Sequence, residues 1–409
     1  MTTTATYNNV KTNIAWMPEL PEHWKLSRVK NYFTFSNEVV GEDYSGFNVL
    51  SLSVNGVIIR DMESGKGKHS MSMDLYQIVQ PKSIILCLFD MDVTPRIVGL
   101  CENLGIITSA YTTIVPKENV CERFYYYFFL HQDYNKSLKA QGTGVRTTLT
   151  NTQFGAVKIP VPPYQEQIQI ANYLDNQSQK INHFIAKKQQ FIALLKEQRQ
   201  SVINEAVKKG TRTRLKNIVT TNDEALGEST DENYLLRYID IGNVNSNGSI
   251  TDIQEFTFKN APSRARRIVK KGDIIISTVR TYLQAITLIN EDDENLIAST
   301  GFAVLRPKEN VDVEFLNYAL RGNNFIDAVN KNSYGVSYPA INSTTLSALS
   351  IFIPNTKEEQ TQIVNHIKTE TATIDTAIAK TEREIELIKE YKEAMIAEAV
   401  MGKVNFNKK

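Results

Sequence analysis

The chain has 409 residues, of which 42% are hydrophobic and 22% are charged, and its formal net charge is +1. That length is too great for one hydrophobic core and predicts two or three domains of an ordinary soluble protein. The net charge neither supports nor excludes a nucleic-acid partner, so the local distribution of charge must decide that question.

Cysteine spacing and apolar runs narrow the class of protein further. The three cysteines lie in the first third without paired spacing, which indicates a reducing compartment and no zinc site. The apolar run 84–89 has the length of a strand, far short of the roughly 20 residues that span a bilayer. No charged-then-apolar leader precedes Trp16, so we expect no secretory signal and a cytoplasmic protein.

The first 24 residues divide into two segments. Residues 1–15 are rich in Thr and Asn, and this composition predicts disorder. Residues 16–24 begin and end with Trp and contain Pro18 and Pro21, which favour an extended backbone. We expect this segment to be a strap that packs its two indoles on a domain surface.

Residues 26–162 consist of short β-rich runs separated by turn residues. The run 49–54 alternates in polarity, and Asn55-Gly56 then predicts a hairpin that returns through 57–59. The other predicted elements are strands at 83–89 and 111–115, a helix at 123–132 and a flexible basic loop at 142–148.

A long amphipathic helix is predicted from Tyr164 to about Lys209. Its apolar positions alternate in steps of three and four, as in the seam of a coiled coil. The inward positions are Ala171, Leu174, Ser178, Ile181, Ile185, Lys188, Ile192, Leu195, Arg199, Val202 and Ala206.

A second long helix, from Lys357 to about Gly402, repeats this seam at an offset of 193 residues. Its inward positions are Val364, Ile367, Thr371, Ile374, Ile378, Thr381, Ile385, Ile388, Lys392, Met395 and Ala399. The polar interruptions coincide as well, because Ser178, Lys188 and Arg199 match Thr371, Thr381 and Lys392. Unrelated helices would not share such interruptions, so the chain is predicted to be an internal duplication.

The region between the helices repeats the order of the first β-rich region. A strand at 238–241, Asn247-Gly248 in place of Asn55-Gly56, the segment 271–277 in place of 81–87, a helix at 313–321 and a loop at 334–339 follow at offsets of about 186 to 193. The loop side chains differ while the strand order is kept. This favours two domains that perform one task on different targets.

A search for catalytic motifs finds none. Residues 65–70 lack the spacing of a P-loop, and no Gly-x-Gly-x-x-Gly, Asn-Pro-Pro-aromatic, nucleophile-elbow or zinc-protease motif is present. Asp90, Asp92 and Asp273 lie near strand ends and could form a nuclease carboxylate cluster. Asp is also common in turns at strand ends, and we favour that structural interpretation.

Basic residues concentrate between Lys259 and Arg280. This stretch contains seven of them and a single acidic residue, Asp273, and Tyr282 follows it. Arginine forks of this kind can contact phosphates or read guanine edges, although a solubilising loop has a similar composition. The candidate DNA-binding residues are Lys66, Lys68, Arg96, Arg146, Arg264, Arg266, Arg267, Arg280, Tyr282, Tyr334 and Tyr338. We predict no catalytic and no metal-binding residues.

The two long helices are predicted to act as a spacer of fixed length. A helix of 44 residues spans roughly 65 Å, and two such helices of one chain must run antiparallel to face each other. The fold class expected is α/β (α+β), with two tandem domains of mixed β-sheet separated by two long antiparallel coiled-coil helices and related by a pseudo-two-fold repeat. Two such modules would bind two different half-sites on one face of DNA, separated by an uncontacted stretch.

The sequence resembles the specificity (S) subunits of type I restriction–modification systems from Trp16 onward. The resemblance rests on Trp16-Met17-Pro18, Leu20 to Trp24, Ile159 to Ile168, Ile353-Pro354, Glu359-Gln360 and the helix ends Lys196 to Val207 and Lys389 to Lys403. One departure is Lys208-Lys209-Gly210, which stands where the second helix has Met401-Gly402-Lys403 and leaves the exit of the first helix open.

This resemblance implies a non-catalytic protein of the prokaryotic cytoplasm that binds double-stranded DNA and holds no cofactor itself. Two modification (methyltransferase) subunits would supply S-adenosylmethionine, and restriction subunits would supply an ATP- and Mg-dependent translocase and nuclease. Its parts would be target-recognition domains at 1–160 and 211–353 and helical regions at 161–210 and 354–409.

Two other interpretations stay open at this point. One is the recognition part of a single-chain restriction–methylation enzyme, which is disfavoured because no methyltransferase or nuclease module lies outside the duplication. The other is a coiled-coil adapter that binds no DNA, which the basic loops and divergent domains disfavour. Methylation of DNA by the purified chain without added subunits would separate the first from the leading hypothesis.

Overall fold

The computed structural model describes residues 7–62, 73–142 and 147–406. The chain forms two compact units, of which unit 1 combines Met1–Lys188 with Arg383–Lys409 and unit 2 is Gln189–Glu382. Each unit contains one β-rich region and a segment of each long helix. Among the described residues, no helix is both long and apolar enough to cross a membrane.

Unit 1 begins with short strands and ends in the first long helix. Its elements are β1 (Asn9–Ile14), β2 (Met17–Pro21), β3 (Lys25–Arg28), α1 (Val29–Tyr32), β4 (Phe33–Ser36), β5 (Leu50–Ser53), β6 (Gly56–Ile59), β7 (Gln77–Val79), β8 (Ile84–Leu86), β9 (Val98–Leu100), β10 (Gly105–Ile107), β11 (Thr112–Pro116), α2 (Glu122–Tyr134), α3 (Asn151–Ala156), β12 (Lys158–Val161) and the first part of α4 (Tyr164–Ala206).

Unit 2 contains the end of α4 and the start of the second long helix. Between them lie β13 (Thr211–Arg214), α5 (Leu215–Ile218), β14 (Val219–Thr221), β15 (Leu235–Ile239), β16 (Gln254–Thr257), β17 (Ala265–Ile268), β18 (Ile274–Ser277), β19 (Ile286–Leu288), β20 (Leu296–Ser299), β21 (Phe302–Pro307), α6 (Val313–Leu320), α7 (Asn323–Lys331), α8 (Ser343–Ala348) and β22 (Ser350–Ile353), before α9 (Lys357–Val400).

The two units share one sheet topology, which confirms the predicted internal repeat. An antiparallel sheet has the order β4-β11-β8-β9 in unit 1 and β14-β21-β18-β19 in unit 2, and β12-β3 corresponds to β22-β13. Unit 2 adds a mixed sheet, β16-β15-β20-β17, in which β15 and β20 are parallel. Unit 1 has the corresponding pairs β5-β6 and β10-β7, linked by a parallel bridge between Val49 and Ile106.

The largest hydrophobic core of each unit joins its β-rich region to both long helices. In unit 1, Phe124 and Phe128 of α2 belong to one buried cluster with Leu174 of α4 and Val400 of α9. In unit 2 the equivalent cluster contains Phe315 of α6, Ile203 of α4, Val207 directly after α4, and Ile363 and Ile367 of α9. Full burial of one such side chain stabilises the fold by about 1.5–3 kcal/mol, so the helix ends are anchored firmly in each unit.

The long helices are antiparallel within each unit. In unit 2, Arg199 of α4 pairs with Asp375 of α9 at 2.7 Å. In unit 1, the Lys392 ammonium of α9 donates to Asn182 of α4 at 2.9 Å. At the offset of 193, Arg199 corresponds to Lys392 and Asp375 to Asn182. Two polar interruptions of the predicted seam, Arg199 and Lys392, therefore contact equivalent positions of the opposite helix. All the predicted seam positions of both helices are buried or half-buried.

The N-terminal segment corrects one expectation. Residues 9–14 were expected to be disordered, but they form β1, which pairs with β2 through Val10 and Leu20. Composition alone does not register that a neighbouring strand satisfies the backbone of a polar segment. The packing of the strap is confirmed, because Trp24 meets Phe124 edge-on at 6.1 Å and Trp16 lies 5.9 Å from Phe128.

The two Asn-Gly signals have different outcomes. Asn55-Gly56 turns between β5 and β6, which confirms the predicted hairpin, and Gly56 has a φ of +100°. Asn247-Gly248 instead lies in a loop closed by a bridge between Val244 and Ile250. There Gly248 has a φ of +76°, and a Cβ atom on it would lie 2.8 Å from the carbonyl oxygen of Ile286.

Candidate nucleic-acid interface

Two loops of unit 2 meet where β18 ends, and we call residues 278–284 and 333–341 the unit 2 loop pair. The Ile341 amide donates to the Thr278 carbonyl at 2.8 Å, and Val279 bridges Ala340. The Thr281 hydroxyl also contacts the Ser333 hydroxyl at 3.1 Å. The backbone therefore fixes the two loops to each other and to the sheet.

The unit 2 loop pair exposes large aromatic side chains next to an arginine. The Arg280 guanidinium stacks 4.9 Å from the centre of the Tyr338 ring. Tyr334 is 77% exposed and Tyr338 is 65% exposed, and Tyr282 is exposed as well. Clusters of exposed aromatic side chains on fixed loops are typical of binding surfaces, and a guanidinium stacked on a ring is well placed to meet a base or phosphate.

Arg280 also has an unusual backbone, with a φ of +51°. A residue other than glycine in this left-handed region costs on the order of 1 kcal/mol or more, and such residues are concentrated at functional sites. The geometry aims the side chain of Arg280 at Tyr338.

Arg264 joins the same edge of unit 2. Its carbonyl accepts from the Thr300 amide at 2.8 Å, and the adjacent Gly301 carbonyl accepts from the Thr278 amide at 2.8 Å. Both Arg264 and Arg280 are exposed. Within the described ranges no carboxylate forms an ion pair with either residue, so both positive charges are available to a polyanion.

The rest of the basic run has other contacts. Lys259 pairs with Glu232 at 2.8 Å, and Lys270 pairs with Glu224 at 2.5 Å. Arg266 and Arg267 lie on β17, where the Arg266 guanidinium stacks on Phe258 at 4.6 Å and Arg267 is half-buried. The structure therefore brings together Arg264, Arg280, Tyr282, Tyr334 and Tyr338 from the predicted set, and it places Arg266 and Arg267 along the strand.

Asp273 has a structural role, as the sequence interpretation favoured. Its carboxylate is 1% exposed and accepts twice from the Arg306 guanidinium, each time at 2.9 Å. Hydrogen bonds from this guanidinium to Asp273 raise the pKa of Arg306 above its usual range. The pair ties β18 to β21. In the part of the chain that the structure describes, no cluster of three His, Cys, Asp or Glu residues could hold a metal ion.

Unit 1 has an equivalent arrangement with different chemistry, formed by residues 88–94 and 147–150. The Leu149 amide donates to the Leu88 carbonyl at 2.8 Å, as Ile341 does to Thr278. Asp90 has a φ of +47° at the position that corresponds to Arg280. Asp92 pairs with Lys139 at 2.5 Å, and this contact lowers the pKa of Asp92. At this position unit 1 thus carries an acidic residue where unit 2 carries a basic one.

The remaining candidates of unit 1 are scattered or not described. Arg96 pairs with Asp133 at 3.3 Å and stacks 5.0 Å from the Tyr134 ring. It also lines a cavity of about 350 Å³ with Asn182 and Lys392 of the long helices. Lys66, Lys68 and Arg146 lie outside the described residues, so their proposed contact with DNA stays a prediction.

The sequence alone did not show which basic residues of unit 2 form ion pairs with acidic residues. Glu224 and Glu232, which bind Lys270 and Lys259, lie 46 and 27 residues before their partners. No local pattern connects residues at such distances. The signal that could have singled out Arg280 is its place in the repeat, since it aligns with Asp90 between two matching strands.

Comparison with known proteins identifies the family. The model of the type I restriction modification DNA specificity domain matches residues 106–194 and 213–387. The chain is 24% identical over 415 residues to the type I restriction enzyme MjaVIII specificity subunit of Methanocaldococcus jannaschii, with 94% of each chain covered. It is 32% identical over 113 residues to the HindI specificity subunit of Haemophilus influenzae, covering 27% of this chain and 24% of that one.

The fold has solved relatives. The chain resembles one from a structure described as the basis of complex assembly and conformational transition of the type I R-M system, with a TM-score of 0.66, 15% sequence identity and coverage of 94% of this chain and 99% of the other. The likeness extends over both repeats and both long helices. The chain therefore belongs to the type I restriction–modification DNA specificity family, whose members are the DNA-recognition subunits and not the catalytic subunits of these systems.

Proposed function

We propose that this protein reads a bipartite, asymmetric target in double-stranded DNA, with one half-site for each unit, in the prokaryotic cytoplasm. We assign target recognition to residues 1–160 and 211–353 and the helical scaffold to 161–210 and 354–409. The observation that carries the proposal is the repeated loop arrangement, in which the same backbone hydrogen bond, from Leu149 to Leu88 and from Ile341 to Thr278, recurs in both units. Its side chains differ, as two readers of unlike half-sites require.

The unit 2 loop pair supports direct contact with bases. A guanidinium that is exposed and held over a ring can donate two parallel hydrogen bonds to a guanine edge, and exposed tyrosines can pack against sugars or thymine methyl groups. Arg280 and Tyr338 have this arrangement. Arg264 and Tyr334 extend the surface and would meet phosphates or further bases.

The helix pair supports docking of two modification subunits. Large apolar side chains point outward from the helices, namely Phe184, Leu387 and Tyr391 in unit 1 and Phe191 and Leu194 in unit 2. We assign these side chains to the surface that would contact the modification subunits, because a coiled coil that buried them against a partner would remove their apolar surface from water. The modification subunits would bring S-adenosylmethionine, and restriction subunits would join with ATP and Mg.

Mapping of methylated adenines tests the proposal. Long-read sequencing of host DNA with and without this gene should reveal a two-part asymmetric motif that depends on the gene. Exchange of residues 211–350 for those of another family member should change one half of that motif and keep the other. A motif that ignores the exchange, or methylation of DNA by this chain without modification subunits, would overturn the proposal.

A further inference from the structure

A groove beside the long helices is filled in unit 1. Near the start of α4, the Glu166 carboxylate is only 2% exposed, because Tyr7 donates its hydroxyl to it and His23 contacts it at 2.9 Å. Both partners belong to the N-terminal segment, residues 7–24, which contains β1 and β2. This segment and the end of the chain cover the groove.

The end of the chain completes the cover. The Phe406 amide donates to the Tyr7 hydroxyl at 3.0 Å, and the Phe406 ring lies 5.2 Å from that of Tyr173 on α4. Gly402 has a φ of +68°, and a Cβ atom on it would lie 2.3 Å from Pro21. In unit 1, the N-terminal segment and Phe406 therefore fill the groove.

Unit 2 has the same frame. In unit 1, Gln167 donates to the Pro162 carbonyl at 2.8 Å and accepts from the Cys121 amide at 2.9 Å. In unit 2, Gln360 donates to the Pro354 carbonyl at 3.2 Å and accepts from the Asp312 amide at 2.7 Å. The two helix starts therefore sit equivalently in their units, and an offset of 193 relates their side chains.

The groove of unit 2 is open. Glu359, the counterpart of Glu166, is exposed, and its carboxylate accepts from the Thr356 amide at 3.4 Å. It lines a cavity of about 420 Å³ together with Lys209, Pro354, Gln362, Ile363 and His366. His366 stands where Tyr173 carries the Phe406 ring. A carboxylate and a partly apolar helix face that are covered in one repeat thus face solvent in the other.

The cause lies in the chain connections. In unit 1 the paired strands β1 and β2 precede β3. In unit 2 the counterpart of β3 is β13, which starts at Thr211 directly after α4 ends at Ala206. This connection is too short to form an equivalent of the N-terminal segment, so unit 2 does not cover its own groove.

We propose that a segment of the modification subunit fills the unit 2 groove in the assembled complex. This segment is extended, donates a hydroxyl or ring N–H to Glu359, as Tyr7 does to Glu166, and packs an aromatic side chain on His366, as Phe406 does on Tyr173. A second copy of this chain is the weaker candidate, because its own strap is already bound to its Glu166. The inference rests on the proposed docking of modification subunits.

Photo-crosslinking tests the occupant. A benzoylphenylalanine at position 362 should link the chain to the modification subunit in the assembled complex. The matched control is the same residue at position 169, its counterpart in unit 1, which should give predominantly a link within this chain, to the strap. A complex that assembles while position 362 links to a second copy, or to no protein, would overturn the inference and leave the proposed function intact.

The substitution Glu359→Gln tests the chemistry. Glutamine preserves the helix cap with Thr356 but removes the charge that strengthens a hydrogen bond, so we expect binding of the modification subunit to weaken about tenfold. Glu166→Gln is the control, which should lower the Tm of this chain but leave that affinity unchanged. Unchanged affinity in Glu359→Gln, with helix content kept, would count against the groove. Failure of even the parent chain to bind modification subunits would remove the proposed function as well.

Discussion

Arg280 and Tyr338 show how one exposed side chain can restrict another. The ring holds the guanidinium by a cation–π contact and limits its rotamers, so the proposed binding of DNA by Arg280 would cost less conformational entropy. Lys259 and Lys270 lie in the same basic stretch but are bound to acids. At this scale, the sequence locates the basic and aromatic residues, but contacts distant in sequence decide which of the basic side chains form ion pairs.

The substitution Arg280→Ala should weaken binding of the assembled complex to its target by about 1–3 kcal/mol if the residue reads a base. Lys259→Ala, which removes a charge already paired with Glu232, is the control and should have little effect. Fluorescence anisotropy at one fixed salt concentration would measure both affinities on matched and mutated half-sites. An equal loss on every DNA sequence would instead identify a phosphate contact.

Acid should destabilise unit 1 through His131. Burial lowers the pKa of this imidazole, and Lys403 lowers it further. The unfolded chain therefore binds more protons as the pH falls below the ordinary value of about 6.5, so the Tm should be highest above that pH and fall through it. Thermal melts between about pH 5 and 8 would show this slope.

The variant His131→Gln should flatten the acid slope, because its side chain does not titrate. His183→Gln, at an exposed position of α4, should retain the slope of the parent chain. An unchanged slope in His131→Gln would assign the acid sensitivity to other groups.

The long helices carry the most readable part of the sequence. Their seam follows a period of 3.5 residues, so existence, extent and inward face could all be predicted, and the observed α4 and α9 end within a few residues of the predicted limits. Short strands were harder to predict. β1 lies in a polar segment, and β15, β16, β17 and β20 form a mixed sheet whose order depends on contacts distant in sequence.

The paired polar interruptions of the helices can be tested by charge reversal. Arg199→Asp should destabilise unit 2 slightly, and adding Asp375→Arg should restore the contact. A double-mutant cycle should give a coupling of about 0.2–1 kcal/mol, as for other solvent-accessible pairs. Urea unfolding would measure it. A coupling of zero would mean that the observed contact does not contribute to stability.

One of the two units of the molecule is built from two separate stretches of sequence. Unit 1 combines both ends of the chain, whereas unit 2 is one continuous segment. The duplication was predictable because an offset of 193 residues aligns two long helices. Which helix segment packs into which core could not be read from the seam, since a heptad pattern marks an inward face without naming the neighbour beyond the partner helix.

Two equivalent core substitutions should affect different units. Ile396→Ala removes a fully buried side chain of unit 1, and Ile203→Ala removes its counterpart at the offset of 193 in unit 2. Each should cost about 2–5 kcal/mol. Hydrogen exchange should report the first loss in α2 and the second in α6. If both variants showed the same pattern of hydrogen exchange, the prediction that each core stabilises its own unit would be wrong.

The discontinuity of unit 1 has a consequence for biosynthesis. Ile396 and Val400, which belong to the same buried cluster as Phe124 and Leu174, are translated more than two hundred residues after them. A nascent chain can complete unit 2 on the ribosome while unit 1 still waits for its last helical turns. Until they emerge, the apolar surface of α2 and α4 lacks its cover, and that interval is when chaperones would have most to bind.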